Sequence, residues 1–402
     1  MKKEDGICHP KITLVGTSAH MEDAQRTAGI ELSDDSLLRV LSLLDATDLC
    51  SAACVSRQWR RVCGSKTLWT VIDLGNVVAQ RVTHKRLLNL VVRAQGGLRA
   101  LTIDDRGSVT PKLSEVTLAA IVQQSPDLAF ILGFSKVCTK SVEHVFGADS
   151  AQELMDKLVQ PDVSPADVMN ACLFLQATGD FINIFTGTTL MSLPVVNGLI
   201  SQLDKHASDR RLVHSVLAGL VSHVLKIRPV AGIEIWRALR AHFRAALTTH
   251  IDDNLIVHTS LYLLSVIHRK LVLEAQMIVL RDGACFAEMI AAIRKHAASY
   301  RVQLMGCKLM SRLVDNVESS VEAGAAGAVP TMIAAMWNFA DNATLQADCC
   351  SGIYCITRHN AVHKAEAIRA GAVRAIEAAV QAHASNTDVQ QFGSQALAAL
   401  RA

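Results

Sequence analysis

The chain has 402 residues, half of them hydrophobic and 19% charged, which excludes global disorder and leaves room for two or three domains. Aromatic residues make up only 4% and prolines number eight, a balance that suits close-packed helices and disfavours an all-β sandwich. The net charge of +3 arises from well-mixed acidic and basic residues, without the concentrated basic stripe that nucleic-acid binding requires.

Eleven cysteines are scattered through apolar helical patterns. With no secretory signal ahead of them they read as reduced core thiols, which places the protein in the cytosol or nucleus. Lys2 and Lys3 are not followed by an apolar stretch, and charges interrupt every apolar run, so no membrane span is expected. Asn342-Ala343-Thr344 matches a glycosylation sequon, read here as a chance match. Residues 1–28 lack periodicity and are expected to form a mobile tail.

From residue 29 to 70 the texture is different. Leu37, Leu38, Leu41 and Leu44 recur at helical spacing, with Asp34 and Asp35 placed for an N-cap and a favourable first-turn charge. Asp45-Ala46-Thr47-Asp48 breaks the pattern, and a second helix carries Leu49, Ala52, Ala53 and Val55. Trp59, Val62, Leu68 and Trp69 follow. So much apolar surface in about forty residues is a poor core by itself and predicts completion by the rest of the chain or by a partner.

The order Leu32-Ser33, a leucine-rich helix, Asp48-Leu49, Val55-Ser56-Arg57-Gln58-Trp59 and Leu68-Trp69 resembles an F-box. Ser33 stands where that family usually has proline, and Leu43 where an aromatic is common. The resemblance implies docking onto the Skp linker protein, and through it onto a cullin-based ubiquitin ligase core. Leu32, Leu37, Leu38, Leu41, Leu44, Leu49, Val55, Trp59, Leu68 and Trp69 would then be the framework, some as domain core and others at the linker.

Residues 71–150 mix strand and helix patterns. Val71-Ile72-Asp73-Leu74, Leu98–Ile103 and Leu128–Leu132 are short and strand-like at a spacing near thirty residues, with helical patterns at 85–92 and 116–122 between them. These units resemble leucine-rich repeats, although Asp104-Asp105 replaces the usual Asn or Cys. They are expected to form a short α/β spacer, too few for a free solenoid.

Residues 151–402 are helical throughout. One signature places apolar or small residues at i, i+4, i+7, i+8 and i+11, starting at Val213, Ile256, Val302, Leu345 and Val389, with a weaker copy from Val168. Successive starts lie 43 to 46 residues apart. Gly283, Gly327 and Gly371 recur 44 apart, ahead of apolar helices. The pattern resembles armadillo repeats, each unit burying its apolar face on the next. Peptide-gripping members of that family carry an Asn ladder; here the matching positions hold His223, Val266, Arg312, Cys355 and Ala399. The fold and a generic concave face transfer, and the peptide-gripping mechanism does not. His223, Arg312 and Tyr354 are the surface candidates for a protein substrate.

The expected fold is therefore mainly α: a three-helix F-box, a short leucine-rich-repeat-like spacer and an armadillo-like solenoid. Cys350, Cys355, His359 and His363 could in principle ligate zinc, but core thiols beside two surface histidines fit the repeat pattern better. Arg57, Arg60 and Arg61 around Trp59 read as a solvated face over a buried ring, and Lys136, Lys140 and His144 are diffuse. No nucleotide, metalloprotease or hydrolase motif occurs and no cofactor is expected. The function read from the chain is a non-catalytic substrate receptor of a cullin-based ligase. The alternatives are a non-degradative scaffold and, third, an enzyme built on the Cys/His-rich C-terminus.

Overall fold

The computed structural model describes residues 33–42, 46–74, 83–103, 115–132, 145, 151–160, 162–178, 193–224, 232–270, 285–314, 316–358 and 360–402. The expected N-terminal tail, Leu32, Leu44, Lys136, Lys140, His144 and His359 lie outside these residues.

Helix α1 (Asp34–Leu41) begins where the Ser33 side chain accepts a hydrogen bond from the Ser36 amide, one residue ahead of the expected Asp cap. It is followed by α2 (Ala46–Ala52) and α3 (Arg57–Cys63), the latter capped by Ser56. A 3-10 turn, Lys66–Trp69, then brings Trp69 under the three helices. Leu37 and Leu41, one turn apart, are fully buried together with Leu49, Trp59 and Trp69. Each such side chain contributes about 1.5–3 kcal/mol when removed from water. The unit is completed from within the chain. The Trp69 indole donates to the Cys63 carbonyl at 2.7 Å, and the Arg93 guanidinium lies 4.8 Å from its ring centre.

Arg93 belongs to the next layer. Strands β1 (Val71–Asp73), β2 (Ala100–Thr102) and β3 (Phe130–Leu132) form a parallel sheet in sequential order, with α4 (His84–Arg93) and α5 (Glu115–Gln124) as crossovers. Ile72, Leu101 and Ile131 stand in register and are all buried on one face. Val71 and Ala100 point to the other face and pack on Ala218 and Leu255 of the helical array.

That array runs through α6 (Ala151–Val159), α7 (Pro165–Thr178), α8 (Leu193–Lys205), α9 (Arg210–Val224), α10 (Gly232–Thr249) and α11 (Asn254–Lys270). It continues through α12 (Phe286–Lys295), α13 (Tyr300–Leu313), α14 (Val317–Ala325), α15 (Ala328–Asn338), α16 (Ala343–Thr357), α17 (Ala361–Arg369), α18 (Ala372–Ala382) and α19 (Thr387–Arg401). Helices α7, α9, α11, α13, α16 and α19 stack as an inner row, and α6, α8, α10, α12, α15 and α18 as an outer row. Helices α14 and α17 are the short first helices of the last two units, giving these the three-helix armadillo arrangement. The periodic signature is the core of the inner row: Val168, Cys172, Val213, Ile256, Val302, Leu345 and Val389 are all buried.

The in-register glycines have a steric reason. A methyl group on Gly306, Gly352 or Gly393 would come within 2.4 Å of Ile293, 2.7 Å of Met332 or 2.4 Å of Val380. Each contact is with the outer helix of the same repeat, so these positions set the closest approach between rows.

The repeat loops are not identical at the helix caps. Gly327 and Gly371 are the left-handed N-caps of α15 and α18, but the equivalent cap of α12 is Cys285, with φ 50°, and not Gly283. A cysteine holds the left-handed conformation there, and the register of that copy is displaced by two residues.

Two polar devices bind the repeats together. Gln303, Gln346 and Gln390 occupy one position of three inner helices. Each donates its amide to two carbonyls at the end of its own outer helix, Ile293 and His296, Met336 and Phe339, and Val380 and His383, over 2.6–3.2 Å. These carbonyls are among the last four of a helix, which lack partners within it. In addition, Nε2 of His250, His296 and His383 meets the carbonyl of Ala207, Ile251 or Ala340 in the turn of the preceding repeat, at 2.6–2.8 Å. Phe339 takes the histidine position in one repeat, where Asn338 donates to the Ala297 carbonyl at 3.4 Å instead.

Candidate docking surfaces

The first candidate surface is the N-terminal three-helix unit. Of the framework residues, expected to be divided between domain core and linker contact, Leu37, Leu41, Leu49, Trp59, Leu68 and Trp69 are buried. The i, i+4 residues of the leucine stripe are domain core, and α1 packs against α3. Leu38 and Val55 are half-buried at the edge of that core, as are Val40 and Ala53. These residues supply the accessible apolar edge of the described part of the unit. Around it lies a polar rim. Arg61 grips Asp34 through both carboxylate oxygens, at 2.7 and 2.9 Å, and Gln58 donates to the same group at 3.1 Å. The hydrogen bonds from Gln58 and Arg61 hold the Asp34 carboxyl below the usual carboxylate range. Arg60 donates to the Ala53 carbonyl, so the arginines flanking Trp59 tie helices together around a buried ring.

The second candidate surface is the inner row of the array, and its two halves differ. In α9 ten consecutive residues, Leu212–Val221, are buried, a pattern that requires cover on every side. The cover is the chain's own sheet. Ala100 and Val71 pack on Ala218, and Arg99 forms an ion pair with Asp253 at 2.8 Å. The outer edge of β3 is closed by Gln176 of α7, which accepts from the Ile131 amide at 2.8 Å and donates to the Ala129 carbonyl at 3.3 Å. Arg211 pairs with Asp127 at 2.8 Å. The inner face of α9 is thus not free along this stretch; the side chain of His223, two residues beyond it, lies outside the described residues.

From α11 onward the inner face opens. His258 and Tyr262 are half-buried one turn apart, with rings stacked at 6.2 Å. Arg301, Leu304, Met305, Lys308 and Arg312 form a half-buried stripe along α13, and Asp348, Ser351, Tyr354 and Cys355 continue it on α16, ending at exposed Arg358. Two of the predicted surface residues, Arg312 and Tyr354, therefore belong to one stripe. The Arg358 guanidinium lies 5.5 Å from the Tyr354 ring centre. Burial pushes the Asp348 carboxyl up to about 6, against the pull of Lys308 and Arg312. One of its oxygens is buried without a hydrogen-bond partner. Of the asparagine-ladder positions, Val266 is fully buried, whereas Arg312, Cys355 and Ala399 reach the surface in part.

Of the residues weighed as zinc ligands, Cys350, Cys355 and His363 are described. Burial pushes the Cys350 thiol up to about 12, Cys355 lies on the inner stripe, and His363 meets Glu366 at 3.1 Å on α17. Among the described residues no group of three or more His, Cys, Asp or Glu side chains is arranged to hold a metal ion. No described helix is long and apolar enough to cross a membrane.

Residues 34–75 match the F-box-like family model. The chain carries an F-box-like domain joined to helical repeats. No curated protein matches the chain. Among solved structures it is similar to two designed armadillo repeat proteins. The first is 15% identical, with 62% of this chain and all of that one covered at a TM-score of 0.49. The second, in complex with the peptide (KR)4, is 16% identical, with 63% and 100% covered at 0.48. An F-box-like domain on helical repeats is a protein-interaction architecture. The glutamine and histidine devices were missed in sequence, although a signal exists: His206, His250, His296, Phe339 and His383 recur 43 to 46 residues apart.

Proposed function

We propose that the protein is a substrate-receptor subunit of a cullin-based ubiquitin ligase, in which the F-box-like domain docks the Skp linker and the repeats hold a protein substrate. The observation that supports this reading most is the F-box-like match at residues 34–75, rooted through Trp69 and Arg93 in the same core as the repeat array. On this reading the ligase core supplies the chemistry, and the receptor contributes proximity and orientation. The parallel βα units act as a leucine-rich-repeat-like spacer that fixes the two docking surfaces relative to each other. The cytosol or nucleus is the expected compartment, where the buried thiols stay reduced.

The test is co-purification with the Skp linker. Leu38→Glu and Val55→Glu, at half-buried edge positions, should abolish it while the fold is retained. Leu41→Asp would instead break the core and is uninformative. A chain that never binds the linker overturns the reading. A linker-bound chain whose partner is degraded no more slowly after residues 34–75 are deleted would favour the scaffold instead.

A further inference from the structure

On the reading of the inner face as the receptor surface, we infer that its open half, α11 to α19, takes an acidic segment of a partner protein. The chain's own sheet occupies the inner face of α9, so a partner is confined to the later helices. There the non-buried stripe of α13 and α16, with the Arg358 cap, carries four cations, Arg301, Lys308, Arg312 and Arg358, against the carboxylate of Asp348 and that of Asp388, which faces it from α19. The repeats as a whole are well mixed in charge, so this imbalance is a local property of one face. The cations are interleaved with Leu304, Met305 and Tyr354, which are partly buried against the core and give a partner apolar side chains to cover. Such a surface attracts negative charge over a distance and holds it by apolar contact.

The position of Asp348 separates a protein from a nucleic acid. Its half-buried carboxyl is within electrostatic reach of Lys308 and Arg312 on α13 and of Asp388 on α19, in the middle of the stripe. An extended protein segment presents backbone N–H donors that suit a carboxylate, and it can leave that position uncharged. A phosphate backbone offers acceptors only and carries charge at every step, so it would meet Asp348 with like charge.

Fluorescence anisotropy on the full chain tests this with three labelled probes of similar length: a peptide of Glu, Asp and Tyr, a peptide with Lys in place of the acids, and an oligothymidylate. The acidic peptide should bind at least about tenfold tighter than the Lys peptide and weaken as salt rises. The double variant Lys308→Glu, Arg312→Glu should remove that preference. Should this variant fold poorly, Asp348→Asn provides a second arm and should tighten the acidic peptide by roughly two- to threefold. Equal binding of the two peptides, tighter binding of the oligonucleotide, or no binding of the acidic peptide by a chain that still captures the Skp linker would overturn the inference. Loss of linker binding with the acidic preference intact would instead sink the ligase reading alone.

Discussion

Arg99 and Asp253, 154 positions apart, meet in an ion pair at 2.8 Å that ties the sheet to the start of α11. The Asp253 side chain is 4% exposed and also accepts from the amides of Leu255 and Ile256, so one carboxylate caps a helix and anchors a layer. Burial alone would raise its pKa, but the hydrogen bond and charge of Arg99 outweigh this and hold it below the usual value. Arg99→Met would leave that carboxylate buried and uncompensated, at a cost of about 2–3 kcal/mol. Urea unfolding should show this loss, and Arg99→Met with Asp253→Asn should recover part of it, because the uncompensated charge is then gone.

His214 makes the fold sensitive to acid. Burial lowers its pKa from 6.5 to about 4, with Asp253 opposing and Arg99 reinforcing the shift. The unfolded chain therefore takes up this proton first as pH falls. Stability is fully present above about pH 6.5 and is lost progressively down to about pH 4. At pH 5 the loss is about 2 kcal/mol for this one group. His214→Gln should flatten the fall in melting temperature between pH 7 and 5; an unchanged slope would show that the ring is protonated in the fold.

Asp348 works in the opposite direction. Its folded pKa of about 6 lies above the ordinary aspartate value of 3.8, so the fold prefers the protonated form. The cost of the charge is fully present above about pH 6 and vanishes below about pH 4. Asp348→Asn should therefore stabilise the protein at pH 7.5 by roughly 1–2 kcal/mol, after discounting for partial exposure. Melts at pH 7.5 and pH 3.5 would show the gain at the first and its absence at the second.

The glutamine position is the third lever on stability. Gln346→Met keeps the volume but removes the side-chain donor shared by the Met336 and Phe339 carbonyls, the second of which keeps the Asn342 amide. A loss of about 1–3 kcal/mol is expected, with similar values at Gln303 and Gln390. Amide exchange should speed up in the turn after the affected outer helix and not elsewhere. A uniform change across the chain would argue against a local cap.

The repeat array was legible because its cores obey one period: Val213, Ile256, Val302, Leu345 and Val389 are all buried at the expected register. The strands at Val71, Ala100 and Phe130 were legible for the same reason, as short apolar runs at a fixed spacing. The glutamine caps and histidine bridges were not, because polar residues do not register in an apolar pattern. The left-handed cap at Cys285 was not legible, because that conformation normally favours glycine. The F-box-like stripe was recognised by its residues, but which of them are core and which reach the surface was not legible. Leu37 and Leu41 are covered by elements further along the chain, and no local pattern records such cover. The sheet over α9 was hidden for the same reason, since pairs such as Arg99 and Asp253 leave no trace in either segment alone.

The cover over α9 also sets a length. Between α11 and α19 the inner row takes three helix-to-helix steps, each about 9–10 Å. The total, roughly 28 Å, is spanned by about eight or nine residues of extended chain. A sequence motif read by this face would be short, and its register would be counted from the end of the chain's own sheet.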